Sequence, residues 1–474
     1  MQMGFNFNVR IKYKTYVYGL TPYLFQLYLL HLKGRHMSIS AIYDIYLQYP
    51  SVVTDTRKLT TNDFFFALKG PNFNANTFAF KAIETGAAYC VVDEPLETIA
   101  TYFEGNNEAQ KEATLSKMIV VDDVLTTLQA LAGHHRSTFN IPFIAITGSN
   151  GKTTTKELVY AVLSSHFKTY TTQGNLNNHI GVPLTILSIQ KDAQMAVIEM
   201  GANHQKEIEG YCVYARPTHG IISNCGKAHL EGFGGEEGVK KGKGELYTFL
   251  REHTGTAFVY TGYDYLNEMS AGIQNIVPYI NGNIQSSEPF LTVAANINEN
   301  ETAAIASQLV GSYNLPNILC ALTIGKYFGV PENKMVDAIA NYAPSNSRSQ
   351  LITKDTNTII LDAYNANPSS MKVAIENFAK LAGQNKIVML GAMMELGEHS
   401  LAEHLALLQL IAGYSFESVV LVGDDFLAHQ NAVPQFIYFK TTAEAKVWLV
   451  AQNPTHAQLL IKGSRSMQME TVLS

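Results

Sequence analysis

Cysteine is scarce in this chain: four in 474 residues, at Cys90, Cys212, Cys225 and Cys320. None forms a CxxC pair. The sequence therefore offers neither a zinc ribbon nor a disulfide framework, and its scattered thiols suit a reducing cytoplasm. Positive charge is also short. The formal charge is −6 at pH 7, which argues against nucleic acid as a partner, because phosphate-backbone binding needs a basic face. Long clean apolar runs are missing. The nearest, residues 15–32, is broken by Gly19, Pro22 and Gln26 and falls short of the ~20 apolar residues that span a bilayer. Arg10, Lys12 and Lys14 before it imitate a secretion signal, but no small-residue cleavage site follows. Residues 1–36 are accordingly expected to be an upstream extension without stable membrane insertion, the working protein starting near Met37. No segment repeats at a solenoid period, and none is of low complexity.

What is present is an ordinary globular composition, 46% hydrophobic and 16% charged. The length suits roughly three domains of ~150 residues. Strand-like runs occur at 63–70 and 87–93. The polar stretch 104–117 reads as a surface loop, and 122–136 as a linking helix with an aspartate start. From 142 to about 344, strands at 143–147, 193–201 and 219–224 alternate with helical stretches such as 152–165. That alternation predicts a parallel sheet covered on both faces. After residues 343–351 comes a further block, with strands at 358–362, 386–391, 418–423 and 457–463, a second doubly wound pattern. The expected fold is α/β.

The stretch TGSNGKTTTKE (147–157) follows the buried run FIAIT. A strand, a glycine-rich turn and a helix N-terminus present backbone N–H groups and a positive dipole end to an anion. Gly148, Ser149, Asn150 and Gly151 form the turn. Lys152 is placed to reach terminal phosphates, and Thr153 to offer a hydroxyl to Mg²⁺, with Thr154 beside it. The strict G-x-x-x-x-G-K-[ST] pattern is not met, since Ile146 stands where its first glycine belongs. A phosphate-bound Mg²⁺ wants carboxylate help from a neighbouring strand end, and Glu199 ends the run AVIE. His229, in NCGKAHLEGFG, is a candidate ligand, although a lone histidine is more often a loop hydrogen-bonder. Lys240, Lys241 and Lys243 read, on composition alone, as a solvated helix face.

Taken together these stretches resemble the Mur ligases, cytoplasmic ATP-dependent enzymes that form the amide bonds of the peptidoglycan peptide. The likeness runs from about residue 37 to the end. It rests on TDTRKL and NDFFFALKGPNFNAN, the phosphate loop, TTQGNLNNHIGVPLTIL, EMGANHQKEI, NCGKAHLEGFG, GSYNLPNILCA, LDAYNANPSSM, GAMMELGEHS and IKGSRSMQME. YNANP with MELGE is similar to the family member that adds D-alanyl-D-alanine to UDP-N-acetylmuramoyl-tripeptide; the D-N-P-R motif of the member before it is absent. The resemblance implies a monomer of three domains after the extension: a small α/β nucleotide-sugar domain at 37–136, a central P-loop ATPase domain at 137–345, and a C-terminal Rossmann-like domain at 346–474 that binds the dipeptide. It implies ATP, two Mg²⁺ ions and a carbamylated Lys243, whose carbamate would join His229 on the second ion, with Lys152, Glu199, His229 and Lys243 as the catalytic group. It puts Asn314 and Asn317 near the adenine, and Arg348 and Asp362 near the ribose or phosphates. Thr56, Arg57, Asn175, Asn177 and Asn178 fall to the uridine-nucleotide substrate. Tyr364, Asn365, Asn367, Lys462 and Ser464 fall to the dipeptide pocket.

The chain departs from the family pattern at Tyr313, where histidine is usual, at Leu361 and Ala392, where aspartate is usual, and at residues 74–76, where a DGH-like triplet is usual. Two other readings stay open. One is a nucleotide switch that senses ATP or GTP and consumes no small substrate. The other is a sister ligase on the same ATP core, such as a folate polyglutamate-adding enzyme.

Overall fold

The computed structural model describes residues 37–105, 107–297, 302–345 and 348–474. The expected extension at 1–36 lies outside the described residues. The chain divides into two compact units, one reaching Thr138 and including 186–188, the other comprising 139–185 and 189–474.

The first unit carries a parallel sheet in the order Val52–Val53, Phe64–Phe66, Tyr89–Val92, Met118–Val120. A parallel strand covered on both faces has no polar side, and Phe64, Phe65 and Phe66 are all fully buried. The linking helix spans Val124–Ser137 and is capped by Asp123, whose side chain accepts from Thr126 N at 2.6 Å. The stretch expected as a surface loop at 104–117 instead holds a helix, Glu108–Leu115. Asn107 caps it at 3.2 Å from Gln110 N, and its Glu, Ala, Gln and Lys residues are good helix formers. Its polarity reflects exposure, not irregular backbone. At the departure around 74–76, Asn76 is fully buried. Its amide donates to Asn74 Oδ1 at 2.9 Å and Asp93 Oδ1 at 2.8 Å, and Asp93 N donates to its Oδ1 at 3.1 Å.

The second unit contains two six-stranded sheets. The first is wholly parallel, in the order Asn275–Pro278, Thr256–Val259, His219–Ile222, Phe143–Thr147, Met195–Glu199, Thr169–Thr171. The chain builds rightward from Phe143–Thr147 and then crosses to His219–Ile222 on its left. The order therefore reverses beside the central strand, where open α/β sheets form a crevice at their carboxyl ends. Helices Lys152–Ser164 and Leu315–Tyr327 pack together over this sheet. A three-stranded antiparallel sheet, Gly282–Ser286, Thr292–Ala295 and Ala303–Ala306, adds Val293, Ala295 and Ile305 to the same core. The βα alternation did not announce it.

The other sheet runs Gln350–Lys354, Asn357–Asp362, Gln458–Lys462, Lys386–Gly391, Ser418–Val422, Ile437–Phe439, parallel except for the antiparallel first edge. Its inner residues form a separate core that includes Ile359, Met389, Val420 and Ile461. Every strand read from the sequence in this block is present.

Ile318 is fully buried where the helix Leu315–Tyr327 meets the first of these sheets. Replacing it with alanine leaves a cavity in a packed core, with an expected loss of about 2–5 kcal/mol. The midpoint of urea unfolding for the second unit will report it; an unchanged midpoint contradicts the packing described.

Candidate active site

The phosphate loop is shaped by two glycines that no other residue replaces cheaply. Gly148 has φ +141° and Gly151 φ +77°. A Cβ at Gly148 would lie 2.1 Å from Ser223 Oγ, and one at Gly151 would lie 2.9 Å from Asn317 Oδ1. The next strand's end clamps the turn from outside. Ser149 N donates to Asn224 O at 2.8 Å, Asn150 N to Asn224 Oδ1 at 3.0 Å, and Ser149 Oγ to Gly226 O at 2.8 Å. Ser223 Oγ and Asn224 Nδ2 both donate to Asn150 O, at 2.6 and 2.9 Å. The N–H groups of the first turn of Lys152–Ser164 have no carbonyl partner inside their helix, so they remain available to an anion.

Lys152 folds back over this loop, donating to Gly148 O at 2.7 Å and Ser149 O at 3.1 Å. Burial pulls its pKa from 10.5 down to about 8; the Arg348 charge pushes the same way, and Glu199 opposes it. Glu199 itself is 1% exposed. Its Oε1 accepts from Thr153 Oγ1 at 3.0 Å and from Asn177 Nδ2 at 2.7 Å. Its Oε2 is buried with no hydrogen-bond partner. A buried carboxylate oxygen without a partner is costly, and a cation is the group that would satisfy it. Among the described residues no three His, Cys, Asp or Glu side chains cluster as a metal cage. One carboxylate, one hydroxyl and a ligand's phosphates suit Mg²⁺, which is commonly held that way. The donor set fits that ion.

His229 sits at φ +53°, and its Nδ1 contacts Glu395 Oε2. The hydrogen bond from His229 holds the Glu395 carboxyl below its ordinary range. Glu395 lies in the MELGE stretch, where no role follows for it from sequence. Lys243, expected on composition to face solvent, is fully buried. Its Nζ donates to Ala202 O at 2.9 Å and lies 4.8 Å from the Phe233 ring centroid. Burial, and then repulsion from Lys152, push its pKa well below 10.5.

Asn314 and Asn317 lie side by side. Asn314 Nδ2 donates to Val310 O at 2.9 Å, Asn317 Nδ2 to Asn314 Oδ1 at 2.9 Å, and Thr155 Oγ1 to Asn317 Oδ1 at 3.0 Å. Asn314 stands at the start of the helix Leu315–Tyr327 without a side-chain capping bond, so capping does not explain it. Tyr313 OH pairs with Ser349 Oγ at 2.8 Å, and Ser349 N donates to Asp362 Oδ1 at 3.1 Å. The Arg348 guanidinium lies 3.5 Å from the Tyr364 ring centroid. Lys462, 2% exposed, donates to Asp362 Oδ2 at 2.6 Å and Asn365 O at 3.1 Å. Ser464 Oγ donates to Ala392 O at 2.6 Å. Asn367 caps the helix Pro368–Lys380 through its Oδ1, and its Nδ2 donates to Asn150 Oδ1 at 2.7 Å.

These groups surround one cavity of about 800 Å³, within the range of small-molecule sites. Ser149, Asn150, Gly151, Lys152, Thr153, Thr154, Glu199, His229, Asn314, Asn317, Arg348 and Asp362 line it, as do Asn175, Asn177, Asn178, Tyr364, Asn365, Asn367 and Lys462. Gly148, Lys243 and Ser464 are not among the residues that line it. Two of the residues expected at the substrate also have protein partners: Asn177 Nδ2 donates to Glu199, and Asn178 Oδ1 accepts from Ile180 N and Gly181 N at 3.1 and 2.8 Å. Thr56 and Arg57 belong to the first unit, in the short helix Thr56–Lys58, where Arg57 pairs with Asp55 at 2.7 Å.

Comparison with known proteins follows the same lines. A family model described as the Mur ligase middle domain matches residues 146–325, and one described as the Mur ligase, glutamate ligase domain matches 347–465. UDP-N-acetylmuramoyl-tripeptide--D-alanyl-D-alanine ligase of Bacillus subtilis is 31% identical, over 89% of this chain and 92% of its own. The counterpart in Escherichia coli is 33% identical with the same coverage, 89% and 92%. A crystal structure of MurF from Acinetobacter baumannii superposes with a TM-score of 0.79 at 30% identity, covering 89% of this chain and 92% of that one.

With a pKa of about 8, Lys152 is largely neutral at about pH 9 in the free protein. A polyphosphate placed beside it favours the ammonium and raises that pKa, so binding takes up a proton above about pH 8 and none from this group near pH 6.5. Calorimetry of inorganic tripolyphosphate binding, in two buffers of different ionisation enthalpy, reads the uptake. It is expected in the native protein and absent in Lys152→Met; equal uptake in both contradicts the assignment.

Proposed function

The chain belongs to the Mur ligase family, and from that premise we propose that it joins D-alanyl-D-alanine to UDP-N-acetylmuramoyl-tripeptide at the expense of ATP. The observation that carries the reading is Glu199: a buried carboxylate with one unsatisfied oxygen, beside the hydroxyl of a phosphate loop, in a cavity lined from two six-stranded sheets. A nucleotide switch needs only the first sheet. A ligase needs a second surface to deliver an amine.

The reaction proceeds in two steps. The tripeptide's terminal carboxylate attacks the γ-phosphorus of ATP, the bond to the β-phosphate oxygen breaks, and ADP leaves an acyl phosphate. The free amine of the dipeptide then attacks the acyl carbon. The tetrahedral adduct loses inorganic phosphate, and the nitrogen gives up a proton. Both steps bring anions together, so neutralising charge and fixing geometry are the main demands. Lys152 leaves its loop carbonyls for the β- and γ-phosphates, and the first-turn N–H groups hold the same oxygens. Thr153 and Glu199 would hold one Mg²⁺, with Asn177 fixing the carboxylate. His229 and a carbamate on Lys243 would hold a second. Bound there, the ions supply Lewis-acid polarisation of the phosphoryl oxygens.

The burial of Lys243 supports its modification. A neutral amine, not an ammonium, attacks CO₂; the product is a carbamate anion and a released proton. Asn314 and Asn317 are assigned to the adenine, Arg348 and Asp362 to the ribose or phosphates. Tyr364, Asn365, Asn367, Lys462 and Ser464 shape the dipeptide end, Asn367 and Ser464 through the loops they hold. Asn175, Asn178, Thr56 and Arg57 serve the uridine-nucleotide half. We divide the working protein at 37–136, 137–345 and 346–474, and its nucleotide-linked substrate and ATP place it in the cytoplasm.

Phosphate release from ATP is expected only when UDP-N-acetylmuramoyl-tripeptide and D-alanyl-D-alanine are both present. Release with neither acceptor, or with one alone, sinks the assignment. Lys243→Ala should lower turnover by about 100-fold or more, the scale of losing one charge-stabilising group, and short carboxylates such as formate should restore part of it. Full activity without added carboxylate contradicts the carbamate.

A further inference from the structure

Glu395 lines the cavity but has no part in the reaction described above, and it meets His229 across 166 residues of chain. We propose that Glu395 is a positioning residue: reaching over from the loop after Lys386–Gly391, it fixes the His229 imidazole so that its other nitrogen faces the metal site. This rests on the assignment of His229 as a metal ligand.

The chemistry of the pair sets the tautomer. An ionised carboxylate only accepts hydrogen bonds, so the proton of a neutral His229 lies on Nδ1, and Nε2 keeps its lone pair for a cation. Metal-bound histidines commonly donate their second ring N–H to a carboxylate in this way, and losing that partner costs about 10–100-fold in metal affinity or activity.

The backbone holds both partners in place. His229 and Glu395 sit at φ +53° and +62°, a region that side chains other than glycine and asparagine rarely occupy. Glu395 O accepts from Glu231 N at 3.3 Å, and Gly397, at φ +54°, packs so closely that a Cβ would come 3.1 Å from Glu231. The side chain of Glu395 is 52% exposed, so no core depends on it. A plain surface ion pair is the competing explanation. The same two sheets offer an internal control: Lys227 meets Glu403 at 2.6 Å, bridging the lobes without touching a proposed ligand.

The test measures Mn²⁺ binding by electron paramagnetic resonance, with saturating ADP, in the full-length protein. Glu395→Ala should weaken Mn²⁺ binding by about 10–100-fold. His229→Ala should weaken it at least as much, and the double variant no further than His229→Ala alone, because one residue acts through the other. Glu403→Ala should stay within about twofold, because this half-buried pair touches neither His229 nor Glu395. The proposal is overturned by any of three results: an unchanged affinity in Glu395→Ala or His229→Ala, a loss in Glu403→Ala equal to that in Glu395→Ala, or single losses that multiply in the double variant. No acceptor peptide is needed, so failure of the ligase assay and failure of this series are separate outcomes.

Discussion

Two amines govern this site, Lys243 buried and Lys152 half-buried. Lys152 and Lys243 are both drawn below their ordinary pKa, first by burial, and each carries a further push from a neighbouring cation. Desolvation disfavours charge, and like charges in a dry wall disfavour it again. The Lys152 amine at the cavity and the Lys243 amine outside its lining thus favour the neutral form, and Glu199 Oε2 is buried without a hydrogen-bond partner. A polyphosphate with its metal answers both at once. The carbamate proposed on Lys243 would remove the repulsion in a different way, by converting one of the two amines into an anion. The phosphate loop, Glu199 and the 229–243 segment are therefore one electrostatic arrangement and not three motifs that happen to be close.

The departures from the family pattern are compatible with that arrangement. Tyr313 replaces histidine but still reaches Asp362 through Ser349, hydroxyl to hydroxyl and then backbone to carboxylate. Leu361 lies on the inner face of its strand, 6% exposed, within the core that also holds Ile359 and Ile461. A carboxylate there would have to be buried unpaired or turn the strand. Ala392 is 2% exposed and works through its backbone, donating to Val422 O at 2.9 Å and accepting from Ser464 Oγ. Its position is set by the main chain, so loss of a side-chain carboxylate leaves the loop geometry intact.

Local chemistry was the part of this protein that could be read from sequence. The loop 147–157 carries its own strand, turn and helix signals, and six of its residues line the cavity. Strands buried on both faces announce themselves as apolar runs, which is why 386–391 was bounded to the residue. What could not be read was partnership across the chain. Asn177 bears the marks of a loop residue free for substrate; only the fold shows that it also bonds Glu199, 22 residues on. Lys243 sits in a run of lysines with the look of a wet helix face, and its burial comes from Phe233 and the 202 loop folding over it. Glu395 stands in MELGE, but nothing local tied it to His229, 166 residues away. The helix at 108–115 was missed for the opposite reason: its polarity hid a good cap and good propensities.

The second sheet reaches the cavity through contacts that fall on working parts of the first. Asn367 Nδ2 bonds the phosphate-loop residue Asn150, and Glu395 contacts His229. Asn367 uses its other amide atom to cap a thirteen-residue helix in a reciprocal capping box with Ser370, an interaction worth about 1 kcal/mol. The residue that touches the phosphate loop is thus fixed by the stability of a helix in the other lobe. Weak polar contacts of this kind cannot bind two lobes firmly by themselves. They can make the geometry of the phosphate loop and the His229 turn depend on where the other lobe sits. A ligase has reason to need that dependence: an acyl phosphate is wasted to water unless the amine is already in place, and loops that are completed only by the amine-binding lobe tie the first step to the second.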